Sequence, residues 1–192
     1  RLRRCYMKNK KNNDEKARSY SVFNGKETEA EFKRKLEELP ETAHKTSSST
    51  QSFFKKNRKK IESSDQLVHA LHDEVFEEID CLSCANCCRT LGPAIYDKDV
   101  ERMAKELRMK PSQVLEKYLK KDGDDGYIFQ SMPCPFLMPD NYCSIYESRP
   151  KACREYPHTD RKKFYQIFTI TLKNTYTCPA AYEVVERLKE KL

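Results

Sequence analysis

Apolar positions recur at helical spacing along most of the chain. Between residues 28 and 40, Phe32, Leu36 and Leu39 stand three or four positions apart, which predicts a first helix. The Ser/Thr- and Lys-rich segment 41–62 carries few large apolar side chains. It therefore predicts a weaker helix that packs by one edge.

A stronger apolar stripe begins after Asp65, which we expect to cap a helix that ends where the cysteines begin at Cys81. Its members are Leu67, Val68, Leu71, Val75, Phe76 and Ile79. Three more helices are predicted farther on. Asp97 is expected to cap the first, and Pro111 and Pro179 to open the other two, because the fixed φ of proline suits a first helical position.

Two segments have strand-like composition, namely YIFQS at 127–131 and FYQIFTITL at 164–172. The run KDGDDG at 121–126 predicts a solvated turn. A calcium loop is not expected there, because Tyr127 stands where such a loop needs glycine. The pattern predicts a mainly α fold with small β elements, an irregular cysteine-rich helical domain organised around a metal or iron–sulfur centre.

Composition indicates that apolar burial is not the whole source of stability. Of 192 residues, 38% are hydrophobic and 35% are charged, and there is no Trp. A bound metal would help hold such a fold, since site formation and folding share one free energy. Residues 1–26 hold nine basic and two acidic side chains, which accounts for the formal net charge of +7.

This charge distribution suggests three parts: a disordered basic tail at 1–26, an accessory helical segment at 27–64 and a cysteine-cluster domain at 65–192. Nucleic-acid binding is not expected, because the basic excess belongs to the tail. No apolar stretch approaches the ~20 residues of a membrane span. We expect a cytoplasmic protein, in which clustered cysteines act as metal ligands or redox groups.

Eight of the nine cysteines fall into two spaced groups. They are Cys81, Cys84, Cys87 and Cys88 in the first, and Cys134, Cys143, Cys153 and Cys178 in the second. Two thiolates separated by two residues can turn inward on one metal. The C-x2-C-x2-C run also resembles the ligand run of a [4Fe–4S] cluster, in which a remote cysteine completes the set; Cys178 followed by Pro179 suits that place.

The adjacent pair Cys87 and Cys88 leaves two alternatives open, because neighbouring side chains diverge. Either they serve two neighbouring sites, or one binds while the other stays a reactive thiol. Eight cysteines would fill two four-sulfur sites, which favours the first alternative. Cys5 is expected to lie apart from the set. His158 is a candidate nitrogen ligand, the alternative being an ordinary loop histidine.

Basic residues stand beside the predicted ligands. Arg89 follows the first group, and Arg149 and Arg154 bracket Cys153. Guanidinium groups stay charged and donate several hydrogen bonds at fixed angles, so we expect these three to offset the negative charge of a thiolate-rich centre.

The blocks CLSCANCC (81–88), PCPFL (133–137), YCSIYESRPKACREYP (142–157) and CPAAY (178–182) resemble the YkgJ-like cysteine-cluster family. That family carries a CxxCxxCC signature and a zinc- or iron-chelating domain, and the resemblance covers residues 65–192. It implies metal chelation through all eight cysteines in a bacterial cytosolic protein. The iron–sulfur form is favoured, and zinc is the alternative.

Three hypotheses about function follow. The leading one is a metal-binding module with a [4Fe–4S]-type cluster or zinc. The second is a cluster-dependent enzyme, since relatives of the family include flagellin lysine N-methylases. Against it, the chain has no glycine-rich nucleotide loop and four Gly in all. The third is a zinc-stapled module that docks on a protein partner.

Overall fold

The computed structural model describes residues 28–123 and 126–192, so the predicted basic tail and Cys5 lie outside the described residues. The helices are α1 (Glu29–Glu62), α2 (Asp65–Glu78), α3 (Cys81–Cys84), α4 (Asn86–Thr90), α5 (Asp97–Leu107), α6 (Pro111–Tyr118), α7 (Lys151–Glu155), α8 (Phe168–Asn174) and α9 (Pro179–Lys191). The strands are β1 (Leu119–Asp122) and β2 (Gly126–Phe129). The prediction of a mainly α fold with small β elements is confirmed.

Helix α1 is longer than the sequence pattern predicts, because it runs through Pro40 without a break. It begins with a capping box in which the Thr28 backbone N–H donates to the Glu31 carboxylate at 2.6 Å. Beyond the proline, Phe54 and Ile61 are buried. Their burial keeps the Ser/Thr-rich half helical despite the hydrogen bond that proline removes.

Both predicted aspartate caps are wrong by one residue. Asp65 is the first residue of α2, and its carboxylate instead accepts hydrogen bonds from the Lys163 and Phe164 backbone N–H groups, at 2.5 and 3.1 Å. Asp97 is likewise the first residue of α5. The sequence pattern does not reveal the distant backbone amides that use the first of these carboxylates.

The predicted strand at 164–172 is wrong, because this segment is helical. A 3₁₀ turn at Phe164–Ile167 leads directly into α8. The buried positions Phe164, Ile167 and Thr171 are three and four residues apart, so a helical face meets the core. Aromatic and β-branched content suits a strand only where a partner strand is available to pair with it.

The other predicted strand is confirmed as β2, which pairs antiparallel with β1. Of the turn predicted at 121–126, Lys121 and Asp122 belong to β1 and Gly126 belongs to β2, while Gly123 lies in the left-handed region at φ 69°. Tyr127 extends the pairing, since its N–H donates to the Ile95 carbonyl at 2.8 Å and its carbonyl accepts from the Ile95 N–H at the same distance. Pro111 and Pro179 open α6 and α9 as predicted.

Two hydrophobic clusters form the interior. The first cluster joins α1, α2, α8 and α9, and its buried members include Phe54, Ile61, Val68, Val75, Phe164, Val184 and Leu188. The second cluster joins α5, α6 and the hairpin, and its buried members include Ile95, Val100, Met103, Val114, Phe129, Phe136 and Ile145. Cys178 belongs to the first cluster, and Cys134 and Cys143 pack against the second. None of the described helices is long and apolar enough to cross a membrane.

Candidate metal centre

All eight predicted ligand cysteines line one cavity of about 270 Å³. None of these eight residues takes part in a disulfide. Cys81 is exposed, Cys178 is buried, and the other six lie between these extremes. The structure thus brings together two groups that are distant along the chain, while their role as ligands stays a prediction.

The first group sits on the two short helices α3 and α4. The Asp80 carboxylate caps α3 by accepting from the Leu82 N–H at 3.0 Å. Ala85 then takes a left-handed conformation with φ 44° and joins α3 to α4. The chain turns sharply at this residue, and the cysteines on both sides of it line the cavity.

The second group lies on three parts of the chain: the segment between β2 and α7, the helix α7, and the start of α9. Cys134 lies in the loop after β2, where its N–H donates to the Cys88 carbonyl at 2.8 Å. Cys143 follows in a bridge opposite Leu137. Cys153 belongs to α7, and Cys178 is the cap residue of α9, with its sulfur 3.4 Å from the Ala181 nitrogen.

Asn86 ties the first group to the segment before Cys178. Its side-chain amide, which is partly buried, donates to the Thr177 carbonyl at 2.7 Å across 91 positions of sequence. This hydrogen bond holds α4 beside the start of α9. It therefore sets the distance between the first cysteine group and Cys178.

We expect Asn86→Ala to lower the free energy of unfolding by about 1 kcal/mol, because the Thr177 carbonyl loses its partner. Chemical denaturation of the reduced protein under anaerobic conditions measures the change. Ser83→Ala is the matched control, since the Ser83 hydroxyl makes an exposed hydrogen bond to Asp80. Equal stability of the two variants would contradict the prediction.

Burial dominates the electrostatics of most of these thiols. It raises the pKa of Cys84 and Cys134 to about 11 and that of Cys153 and Cys178 to about 12. These thiols are therefore protonated near neutral pH, and each must lose its proton before it binds a metal.

The adjacent pair behaves differently. The Cys87 and Cys88 sulfurs are 4.0 Å apart, so the expectation that these neighbouring side chains diverge is wrong. The hydrogen bond from Cys87, with the charges of Arg89 and Arg149, lowers the pKa of Cys88 to about 7, whereas the same hydrogen bond raises the pKa of Cys87. Cys88 is thus the member of this pair that ionises first.

The three predicted arginines are placed differently. Arg149 lines the cavity, with its guanidinium stacked 3.6 Å from the centre of the Tyr146 ring and donating to the Tyr146 carbonyl at 2.8 Å. Arg89 is exposed and bonds to the Cys84 carbonyl and the Asn141 side chain. Arg154 is not among the residues that line the cavity.

Tyr156 is a cavity residue that no pattern in the sequence distinguishes. Its hydroxyl is buried and has no hydrogen-bond partner within the described ranges 28–123 and 126–192. Burial, and then the neighbouring Cys178 and Cys87, raise the pKa of this phenol. A neutral donor left unpaired beside buried sulfurs is costly unless something accepts its proton.

His158 also lines the cavity, with a left-handed backbone at φ 68°. Burial lowers the pKa of its imidazole, which favours the neutral form that binds metals. Its role as a nitrogen ligand stays a prediction.

The sulfurs surround a space instead of converging on a point. Across the described part of the chain, no three His, Cys, Asp or Glu side chains stand close enough to hold a single ion. The donor set is nevertheless rich in thiols, with guanidinium and phenol donors beside it. These residues fit a thiolate-bound inorganic group that occupies the cavity.

A mainly helical chain with eight thiols around one cavity defines a cysteine-cluster metal-binding protein. The chain belongs to the CxxCxxCC family, which is described as a "putative zinc- or iron-chelating domain" and matches residues 80–179. The resemblance drawn from the cysteine blocks is thereby confirmed. No curated protein and no solved structure matches the chain.

Proposed function

We propose that this protein binds an iron–sulfur cluster of the [4Fe–4S] type through its cysteines, in preference to zinc. Family membership supports zinc or iron chelation in general. The observation that carries the choice of cluster is the arrangement of eight cysteine side chains around a cavity of about 270 Å³.

The spacing of the sulfur ligands distinguishes a zinc site from an iron–sulfur cluster. Zinc binds thiolates at about 2.3 Å in a tetrahedron, which requires four sulfurs within about 4 Å of one another. Among the described side chains no such group of ligands is preformed. A cluster has four irons at its corners, each taking one thiolate, so its ligands stand farther apart and enclose a larger volume.

The side chains beside the thiols support the same reading. Bound thiolates bring negative charge into a partly buried site, and that charge needs nearby donors. Arg149 supplies a fixed positive charge, because Tyr146 holds its guanidinium in place. Tyr156 supplies a hydroxyl that can donate to a thiolate or sulfide. When bound, a cluster would supply one-electron redox chemistry.

Anaerobic purification, followed by analysis of iron, acid-labile sulfide and zinc and by an absorption spectrum, tests the proposal. We expect brown protein that contains iron and sulfide in equal amounts. A colourless protein that contains zinc and no sulfide, and that takes up no iron during reconstitution, would overturn it.

Tyr156→Phe should act oppositely on the two forms of the protein. In the metal-free form we expect stability equal to or above that of the parent, because a buried hydroxyl without a partner is removed. In the loaded form we expect affinity for the bound group to fall by about tenfold, because a hydrogen bond to a charged acceptor is lost.

Competition with a chelator, together with thermal unfolding of both forms, measures this pair of effects. Tyr165→Phe is the matched control, since its hydroxyl makes an exposed contact with Gln166. A Tyr156→Phe variant that is less stable without metal and unchanged with it would show that the hydroxyl faces no bound group.

A further inference from the structure

We propose that the eight cysteines form two separate four-sulfur sites that share only the peptide bond between Cys87 and Cys88. The first site consists of Cys81, Cys84, Cys87 and Cys178. The second site consists of Cys88, Cys134, Cys143 and Cys153. This division rests on the proposed function and deepens it, because it states how many groups are bound and by which residues.

The two hydrophobic clusters give the first argument. Cys178 is a buried member of the first cluster, which contains α1, α2 and α9. Cys134 and Cys143 pack instead against the second cluster, with α5, α6 and the hairpin. Cys178 therefore approaches the cavity from a different packing unit than Cys134 and Cys143 do.

Hydrogen bonds tie Cys134 and the residue before Cys178 to different parts of the CxxCxxCC segment. The Asn86 amide bonds to the Thr177 carbonyl at 2.7 Å, which places Cys178 beside the first site's residues on α3 and α4. The Cys134 N–H bonds to the Cys88 carbonyl at 2.8 Å, which places Cys134 beside Cys88. Each tie joins residues within one proposed site.

Cys153 is tied to the second unit as well. The Lys151 N–H, at the start of α7, donates to the buried Asp99 carboxylate of α5 at 2.9 Å. This hydrogen bond holds α7, which carries Cys153, against a helix of the second hydrophobic cluster.

The adjacent pair is the point of division. Only Cys87 continues the C-x2-C-x2-C spacing of a ferredoxin-type run. With Cys178 and the following Pro179, that run supplies a complete ligand set. Cys88 is left for the other three cysteines.

The surroundings of the two sites also differ. Tyr156 packs against the first hydrophobic cluster, of which Cys178 is a buried member, so its hydroxyl belongs to the first site. Arg149 stacks on Tyr146, whose N–H donates to the Cys143 carbonyl at 3.1 Å, so its charge serves the second site. A neutral donor and a fixed cation give two four-thiolate sites unequal electrostatic environments.

Metal content of the parent protein is the first test. After anaerobic reconstitution with saturating iron and sulfide, we expect about eight irons per chain, which is two [4Fe–4S] clusters. About four irons per chain would overturn the division. If the protein takes zinc instead, two zinc ions per chain would support two sites and one would overturn them, whichever metal the proposed function names.

Serine variants provide the second test. Cys178→Ser and Cys153→Ser should each lose about half of the metal, and the double variant should lose nearly all of it. Cys5 is outside the two proposed ligand groups, so Cys5→Ser is the matched control and should keep the full metal content. Full loss in one single variant with no loss in the other would mean a single centre. If each single variant lost everything, the parent's metal content would decide between one centre and two.

Discussion

Removal of the bound metal is expected to unfold the segments around the cavity and to lower the thermal midpoint by at least about 10 °C. Thiolate sites contribute about 10 kcal/mol or more, which is comparable to the whole stability of a domain of this size. Loss of a few kcal/mol is enough for such a shift, because 1 kcal/mol corresponds to about 2–4 °C.

The elements that depend most on the metal can be named. Helices α3, α4 and α7 have only four or five residues each and carry five of the cavity cysteines. Helices of that length are not stable by themselves. Chelation should therefore remove part of the helical signal, while α1, α2 and α9 keep a shared core. Circular dichroism before and after chelation measures this loss.

A chelator already saturated with metal is the control for this experiment, since it excludes direct effects of the reagent. An unchanged midpoint and an unchanged spectrum in the stripped protein would mean that the cysteines do not contribute to folding.

Replacement of Arg149 is expected to weaken metal binding about 10–100-fold. Arg149 lines the cavity, and its guanidinium is held by the stack on Tyr146 and by the hydrogen bond to the Tyr146 carbonyl. Arg149→Ala removes a positive charge beside the thiolates of the proposed second site and leaves less positive charge to offset theirs. Arg149→Lys keeps the charge but loses the planar stack, so we expect an intermediate loss.

Two neighbouring basic residues make the comparison specific. Lys151 is exposed and pairs with Glu155 at 3.7 Å, so Lys151→Ala should bind like the parent. The sequence predicts the same role for Arg149 and Arg154. Of these two arginines, Arg149 lines the cavity and Arg154 does not. Competitive titration with a chelator decides whether Arg154→Ala follows Arg149→Ala or Lys151→Ala. If Arg149→Ala binds like Lys151→Ala, the charge of Arg149 has no part in binding.

Spacing in the sequence was sufficient to select the cavity cysteines, because ligand residues recur at intervals set by local turns. Proline positions likewise gave the starts of α6 and α9. These are short-range effects that a single segment contains. The resemblance carried by the cysteine blocks supplied the family, which the comparison confirmed.

Features that depend on distant partners could not be read from the sequence. FYQIFTITL has strand-like composition, yet it is helical because Phe164 and Ile167 pack into a helical core. Asp65 could not be separated from an ordinary helix cap without knowledge of the Phe164 amide. Tyr156 could not be predicted as a cavity residue for a similar reason. The neighbouring sequence does not distinguish a tyrosine beside sulfurs from one in a hydrophobic core.

In the proposed division, the peptide bond between Cys87 and Cys88 links the filling of one proposed site to that of the other. Binding at either site fixes the backbone torsions next to that bond, which costs conformational entropy. Binding at the other site then costs less entropy, because those torsions are already fixed. Occupation of one site thus raises the affinity of the other, and the effect is equal in both directions. Chains loaded at both sites or at neither should outnumber half-loaded chains when metal is limiting.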